Sequence, residues 1–139
     1  MIRLDTHVLL WLRSGEKSLG SAARKKIDQA WQSEDIAVCS ISFWEIFMLQ
    51  GKDRIRLSEN IGNWRRVLLE QGVVEIQVDG SISLRAASLA DFHTDRADRV
   101  IVAAALNGHC LVTADKRILD WPGELERLDA SEQFPRTSC

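Results

Sequence analysis

The sequence predicts an α/β fold, a three-layer α/β/α domain with a short, mostly parallel central sheet, and three observations carry that prediction. Short apolar segments at residues 2–5, 36–39, 73–78, 109–113 and 125–128 have strand length, and the stretches between them show helical spacing of their apolar residues. Several of those segments are apolar throughout rather than alternating, as strands covered on both faces are. The chain has 139 residues, 45% hydrophobic and 27% charged, which is one globular domain's worth. Strands alternating with helices bury themselves by laying helices on both faces of a parallel sheet.

Residues 2–5 run directly into a helical pattern at 6–12, so Asp5 stands at a strand-to-helix junction. Ser18 to Ser21 gives an N-cap signal ahead of an amphipathic helix at 22–31. The strand at 36–39 is followed by 41–49, which is too long and dense for a strand and ends at Gly51 as a helix does. A helix over 60–71 sets Ile61, Trp64, Val67 and Leu68 on one face and stops at Gly72. Residues 73–78 alternate as a strand, and 81–89 read as another helix. The Ala- and Val-rich helix at 98–106 closes on Asn107-Gly108 and leads into the strand at 109–113. A short helix with Ile118 and Leu119, a breaker at 121–123 and a strand at 125–128 complete a single domain over 1–130. Residues 131–139, with Pro135, read as a flexible C-terminal tail.

The three cysteines, Cys39, Cys110 and Cys139, show no CxxC pairing and read as reduced thiols, two in buried strands and one in the tail. No leader-like segment and no apolar run of membrane-spanning length is visible, which places the chain in the cytoplasm away from membranes. The net charge of −2 is no signature of nucleic-acid binding. Local basic clusters nevertheless occur at 24–26, at Lys52, Arg54 and Arg56, at 65–66 and at 116–117, each equally readable as a solvated face.

The acids are more informative. Asp5 either caps the helix that follows, a contribution of about 1 kcal/mol, or faces the crevice beyond the strand end. Glu45 and Ser42 are the polar side chains of 41–49, and Ile41, Met48 and Leu49 surround Glu45 at helical spacing. An unpartnered carboxylate there is costly, so Glu45 is protonated, paired with a buried Arg or Lys, or close to a cation. Asp95 and Asp98 bracket a helix start; one caps it, and Asp98 is the choice for projecting into the crevice. Asp115 caps the short helix or faces the same edge. In open α/β sheets ligands bind beyond the carboxyl ends of the strands at the topological switch point, and Asp5 and Asp115 both follow strands. Acids gathered there without an equal set of bases call for Mg²⁺ or Mn²⁺. Zinc is disfavoured, since His7, His93 and His109 lack ligand spacing and the cysteines are dispersed.

At these residues the chain resembles the PIN-domain family, and within it the VapC-type toxins of toxin–antitoxin pairs. The likeness runs through Leu4-Asp5-Thr6, Ser40 to Ile46, Gly51-Lys52 with Ile55-Arg56-Leu57, Phe92-His93 with Asp95 to Arg99, and Leu111 to Asp115, reaching to about residue 128. The resemblance implies a PIN-like fold and a Mg²⁺- or Mn²⁺-dependent endoribonuclease. Asp5, Glu45, Asp98 and Asp115 would be its catalytic and metal-holding set, with Thr113 beside them. It also implies an RNA substrate and a cognate VapB-like antitoxin that lays a segment across the crevice. Where the family often shows Asp-Pro-Ala-Asp-Arg, this chain has Asp95-Arg96-Ala97-Asp98-Arg99, which leaves the role of Asp95 open.

On this reading Asp5, Asp98 and Asp115 hold one or two cations, Glu45 orients the attacking water, and Lys52, Arg54, Arg99 and Lys116 grip flanking phosphates. The rival readings are a non-catalytic PIN-like binding module acting through protein partners, and an aspartyl phosphotransferase. The latter needs a second acid two residues after the first, where this chain has His7. The apolar helix at 41–49 and the tryptophans at 11, 31, 44, 64 and 121 suit a core and a homodimer interface rather than base-stacking platforms. His93 either touches RNA or lies on a surface loop, the second being favoured.

Overall fold

The structure is a computed structural model that describes residues 1–134 and 139. Five strands, β1 (Ile2–Leu4), β2 (Ile36–Cys39), β3 (Val74–Ile76), β4 (Cys110–Thr113) and β5 (Glu126–Asp129), form one sheet in the order β3-β2-β1-β4-β5. Every pair is parallel, so the expected mostly parallel sheet is parallel throughout. The helices are α1 (Thr6–Ser14), α2 (Ser21–Gln32), α3 (Ile41–Gly51), α4 (Ile61–Glu70), α5 (Gly80–Ala87), α6 (Arg96–Ala105) and α7 (Lys116–Leu119).

The apolar strands are explained by two cores, one on each face. Leu4, Ile36, Val38 and Val112 pack with Val8 and Leu9 of α1, Ile27 of α2, Ile46 of α3 and Leu68 of α4. On the opposite face Cys39 and Leu111 meet Ile101, Val102 and Ala105 of α6 together with Ile118 and Trp121. Within β4, Cys110 and Val112 serve the first core and Leu111 the second, so no polar position is left in the strand until Thr113.

Boundaries shift where a cap decides them. Asp95 accepts a hydrogen bond from the Asp98 N–H at 3.0 Å, so α6 begins at Arg96 instead of 98. Asp79 does the same for the Ile82 N–H at 2.8 Å and starts α5 at Gly80. Register with β4 carries β5 to Asp129, which pairs with Thr113.

After β5 the chain turns onto α2: the Gly20 N–H donates to the Ala130 carbonyl at 2.8 Å and the Ala22 N–H to Glu132 at 3.1 Å. The tail read as flexible falls partly on residues 135–138, outside the described residues. Cys139 is joined to Cys110 in a disulfide, where the sequence reads both as reduced thiols. Nothing local signals that pairing, because it is made by the return of the chain end to the start of β4 across a separation of 29 residues. Cys39 is free and buried. Among the described residues no helix is long and apolar enough to cross a membrane.

The approach of the chain end to α2 is tight enough to test. A Cβ at Gly20 would lie 2.0 Å from the Glu132 backbone carbonyl oxygen, whereas one at Gly62 meets only Asn60 Oδ1 at 3.5 Å. Gly20→Ala is expected to lower unfolding free energy by about 1–3 kcal/mol. Gly62→Ala, in a helix, should be neutral or stabilising by up to about 1 kcal/mol. Urea titrations of both variants check the opposite signs.

Candidate metal centre at the carboxyl edge of the sheet

β1 and β4 are neighbours at the centre of the sheet, and the chain continues from them in different directions, which opens a crevice beyond their carboxyl ends. The Asp5 N–H donates to the Val112 carbonyl at 3.0 Å, extending the β1–β4 pairing by one residue past the strand. Its Oδ1 accepts from the Thr6 N–H at 2.8 Å and caps α1, while Oδ2 accepts from Thr113 Oγ1 at 2.7 Å. Capping and crevice-facing, open alternatives in the sequence, are therefore combined in one buried side chain.

Thr113, fully buried, ties the two strand-end acids together, because its Oγ1 also accepts from the Asp115 N–H at 3.1 Å. Asp115 caps α7 by accepting from the Arg117 N–H at 2.8 Å, and Arg117 Nη2 lies 3.1 Å from its Oδ2. Asp95 is the cap of α6, which frees Asp98, one turn in, to face the crevice. Asp98 Oδ2 is paired with His93 Nε2 at 2.7 Å and Arg117 Nη2 at 3.3 Å. Among the described residues His93 Nδ1 is buried without a partner, so Nε2 is the ring atom through which His93 meets Asp98.

Glu45 reaches in from α3, and Thr6 Oγ1 is hydrogen-bonded to both its Oε1, at 2.5 Å, and Ser42 Oγ, at 2.9 Å. Among the described residues no Arg or Lys pairs with Glu45. Asp5, Glu45, Asp98 and Asp115 thus line one cleft of about 320 Å³, together with Asp95, His7, Trp11 and Arg117. Two sets of potential ligand atoms, His93–Asp98–Asp115 and Glu45–Asp95–Asp98, each lie within 4.8 Å of one another and share Asp98.

The electrostatics follow from crowding and burial. Burial, reinforced by Asp5, Asp98 and Asp95, pushes Glu45 up to about 7 in spite of its bond to Thr6. Asp98 is pushed up to about 6 by burial first and by its acidic neighbours, against the His93 hydrogen bond. Asp5 is also raised, mainly by burial, with Thr113 and the Thr6 N–H opposing. Burial alone would raise Asp115, but the hydrogen bonds and charge of Arg117 outweigh it and hold it below the usual range. Three of the four acids therefore resist ionisation, which is the condition an added divalent cation relieves.

Two sequence expectations are corrected. His93 is no surface residue: its side chain is only 17% exposed and positions Asp98. Arg99 does not reach toward a substrate, because it donates to the carbonyls of Ala86, Ala87, Leu89, Phe92 and His93 and pins that segment under the crevice. Sequence reasoning assigns Thr6 and Ser42 no role at the site, and Arg117 enters there only as part of the basic cluster at 116–117. Thr6 and Ser42 had a signal, being hydroxyl residues placed beside Asp5 and one turn before Glu45; Arg117 had only its place two residues after a capping Asp.

The PIN domain family model matches residues 2–123. Ribonuclease VapC22 of Mycobacterium tuberculosis is 34% identical over 119 residues, an alignment covering 84% of this chain and 88% of that protein. A toxin–antitoxin complex from Klebsiella pneumoniae superposes with a TM-score of 0.62 at 20% identity, over 96% of this chain and 100% of the other. VapBC2 from Rickettsia felis, bound to a DNA fragment from its promoter, superposes at 0.64 with 16% identity, over 93% and 100%. These two structures share the fold.

Raised carboxylate pKa values mean that the folded chain binds protons more tightly than the unfolded one. That stability is present at low pH and lost as pH rises through the folded values, about 6 for Asp98 and about 7 for Glu45. The melting temperature of the EDTA-treated protein should therefore fall from about pH 5 to about pH 7.5, with Mn²⁺ restoring it most at the upper end. A melting temperature that climbs through that window, with no cation effect, would contradict the electrostatics described.

Proposed function

The chain belongs to the PIN-domain family, and on that premise we propose that it is a divalent-metal-dependent endoribonuclease, the VapC-type toxin of a toxin–antitoxin pair, with Asp5, Glu45, Asp98 and Asp115 as its active centre. The observation that carries this reading is the convergence of the acids in one cleft at the switch point, where burial and mutual repulsion raise Glu45 and Asp98. Identity of 34% to a ribonuclease over most of both chains supports the reaction class.

The donor set fits a hard cation. The four acids offer only oxygen, and Mg²⁺ and Mn²⁺ favour carboxylate and water oxygens over the nitrogen and sulfur that zinc selects. When bound, such an ion lowers the pKa of a water and neutralises charge on the phosphoryl and leaving oxygens. Asp98 and Asp115 would hold it from the starts of α6 and α7, and Asp5 would support it from the end of β1. Thr113 keeps Asp5 and Asp115 in fixed relation, and His93 holds Asp98 by Oδ2, which would leave Oδ1 as its oxygen for the ion. Glu45, fixed through Oε1 by Thr6, presents Oε2 to orient the attacking water and take its proton. Arg117, bonded to Asp98 and Asp115 and 59% exposed, brings a guanidinium to the edge where the phosphate arrives.

The partners follow from the surface and from kinship. α3 buries Phe43 and Ile46 but leaves Trp44, Phe47 and Met48 exposed by 57%, 60% and 40%, an apolar face next to Glu45 that a second copy covers. The antitoxin closes the acidic cleft with a segment bearing positive charge.

Asp5→Asn should leave the fold intact by circular dichroism and reduce Mn²⁺-dependent cleavage of a labelled RNA at least about a hundredfold. Undiminished cleavage sinks the proposed centre, and cleavage by the wild type that is indifferent to EDTA favours the binding-module reading. Separately, Trp44→Glu with Phe47→Lys should convert the dimer to a monomer in light scattering. A wild type that is monomeric at micromolar concentration rules out the α3 interface.

A further inference from the structure

Arg117 bridges the two crevice-facing acids at the starts of α6 and α7. Its Nη2 lies 3.1 Å from Asp115 Oδ2 and 3.3 Å from Asp98 Oδ2, and its Nε adds a contact to Asp115 Oδ1 at 3.3 Å. Asp98 and Asp115 are also the acids that, with His93, offer ligand atoms within 4.8 Å of one another, close enough to hold one ion. The guanidinium and a divalent cation therefore draw on the same pair of carboxylates.

The lone pairs make the overlap concrete, since each carboxylate oxygen has room for two partners. Asp115 Oδ1 accepts from the Arg117 N–H at 2.8 Å and from Nε, while Asp98 Oδ2 is shared by His93 Nε2 at 2.7 Å and Arg117 Nη2, so both oxygens are filled. An ion drawn to what remains, Asp98 Oδ1 and one side of Asp115 Oδ2, meets the positive charge of Arg117 inside the same cleft. Asp98 is buried there and Asp115 half-buried, so the two cations repel one another more strongly than in bulk water.

Arg117 is also the partner best able to leave. Its side chain is 59% exposed, against 17% for His93. The cap of α7 is made by its backbone N–H, so the helix start keeps that bond wherever the guanidinium goes. Among the described residues the guanidinium is bonded to these two acids alone, unlike that of Arg99, which backbone carbonyls pin in place. Exposed ion pairs of this kind are weak and exchange readily with competing charges.

We propose that Arg117 is a built-in counter-ion of the candidate metal centre: its guanidinium pairs Asp98 with Asp115 and is displaced toward solvent by the divalent ion that takes their oxygens. The inference rests on the metal-dependent reading and adds to it an intramolecular competitor that sets how much metal the centre needs. Apparent affinity is reduced by the fraction of molecules in which the guanidinium has left the acids. By linkage, whatever Arg117 adds to the stability of the metal-free protein it subtracts from metal binding. An arginine with a merely structural role would stabilise both forms alike.

The test is calorimetric titration of Mn²⁺ into the EDTA-treated and dialysed wild type and Arg117→Gln, with urea unfolding of both proteins before and after Mn²⁺ saturation. The variant retains the backbone cap and is expected to keep the wild-type circular dichroism. Its Kd for Mn²⁺ should fall about three- to tenfold, the weight of two exposed ion pairs. Its metal-free unfolding equilibrium should shift toward the unfolded state by the same factor, and the difference from the wild type should close at saturating Mn²⁺. Proton–nitrogen NMR gives a readout independent of the variant's stability. The Arg117 Nε–H signal, identified by its loss in Arg117→Gln, should move toward the position of a solvent-exposed guanidinium as Mg²⁺ is added to the wild type. A Kd that is unchanged or weaker in Arg117→Gln, or an Nε–H signal unmoved at saturating Mg²⁺, overturns the displacement while leaving the metal centre standing. A wild type that binds neither Mn²⁺ nor Mg²⁺ overturns the centre itself, and the inference with it.

Discussion

Thr113 is the residue on which the candidate site depends. It ends a strand whose other positions are wholly apolar, and it is fully buried, so its hydroxyl must be satisfied inside the protein. It is satisfied by donating to Asp5 across the β1–β4 pair and by accepting from the Asp115 N–H in its own loop. The parallel register of β1 with β4 sets the distance between the acids, and Thr113 sets their orientation. A shift of that register by one residue would turn Thr113 to the other face of the sheet and separate the two acids.

Around that point the structure uses each helix start twice. Asp5 and Asp115 cap α1 and α7 while offering oxygen to the crevice, and at α6 the two roles are divided between Asp95 and Asp98. A helix amino end stabilises a nearby negative charge, which offsets part of the cost of crowding acids there. It does not offset all of it: Glu45, carried within α3 rather than at a helix start, has no such help and is the acid raised to about 7. The gradient from Asp115, lowered by Arg117, to Glu45, raised by burial, separates a carboxylate that is ionised at neutral pH from one poised to exchange a proton.

The fold was legible in the sequence because its strands are short apolar runs and its helices long ones, a contrast that needs no tertiary knowledge. Asp5 and Asp115 were legible for the same reason, as strand-end residues, and Glu45 by its apolar company. Asp98 could be told from Asp95 only through the family likeness, and in the structure it is the Asp95 hydrogen bond to the Asp98 N–H that separates them. What was hidden depends on contacts between distant segments. His93 meets Asp98 because Arg99 gathers the carbonyls of 86–93, a use of arginine that a linear reading takes for a surface charge. The Cys110–Cys139 bridge and the packing of residues 130–132 on α2 likewise come from the return of the chain end, for which no local pattern exists.

Charge distribution reconciles the acidic total with a polyanionic substrate. The net charge of −2 is the balance of 18 Lys and Arg against 20 Asp and Glu over the whole chain, and it hides a local contrast between an acidic cleft and the basic residues Lys52, Arg54 and Arg56. In the cleft the acids are held close and desolvated, so their field is directed at a small, highly charged ion. Lys52, Arg54 and Arg56 are exposed, so any pull they exert on a polyanion is long-range and weakened by salt. On the proposed reading, ionised acids in the cleft would repel phosphate until a divalent ion is present. A divalent ion held by the acids would, on the same reading, reverse the sign of the local field, and cleavage would then depend on metal occupancy without requiring any movement of the fold.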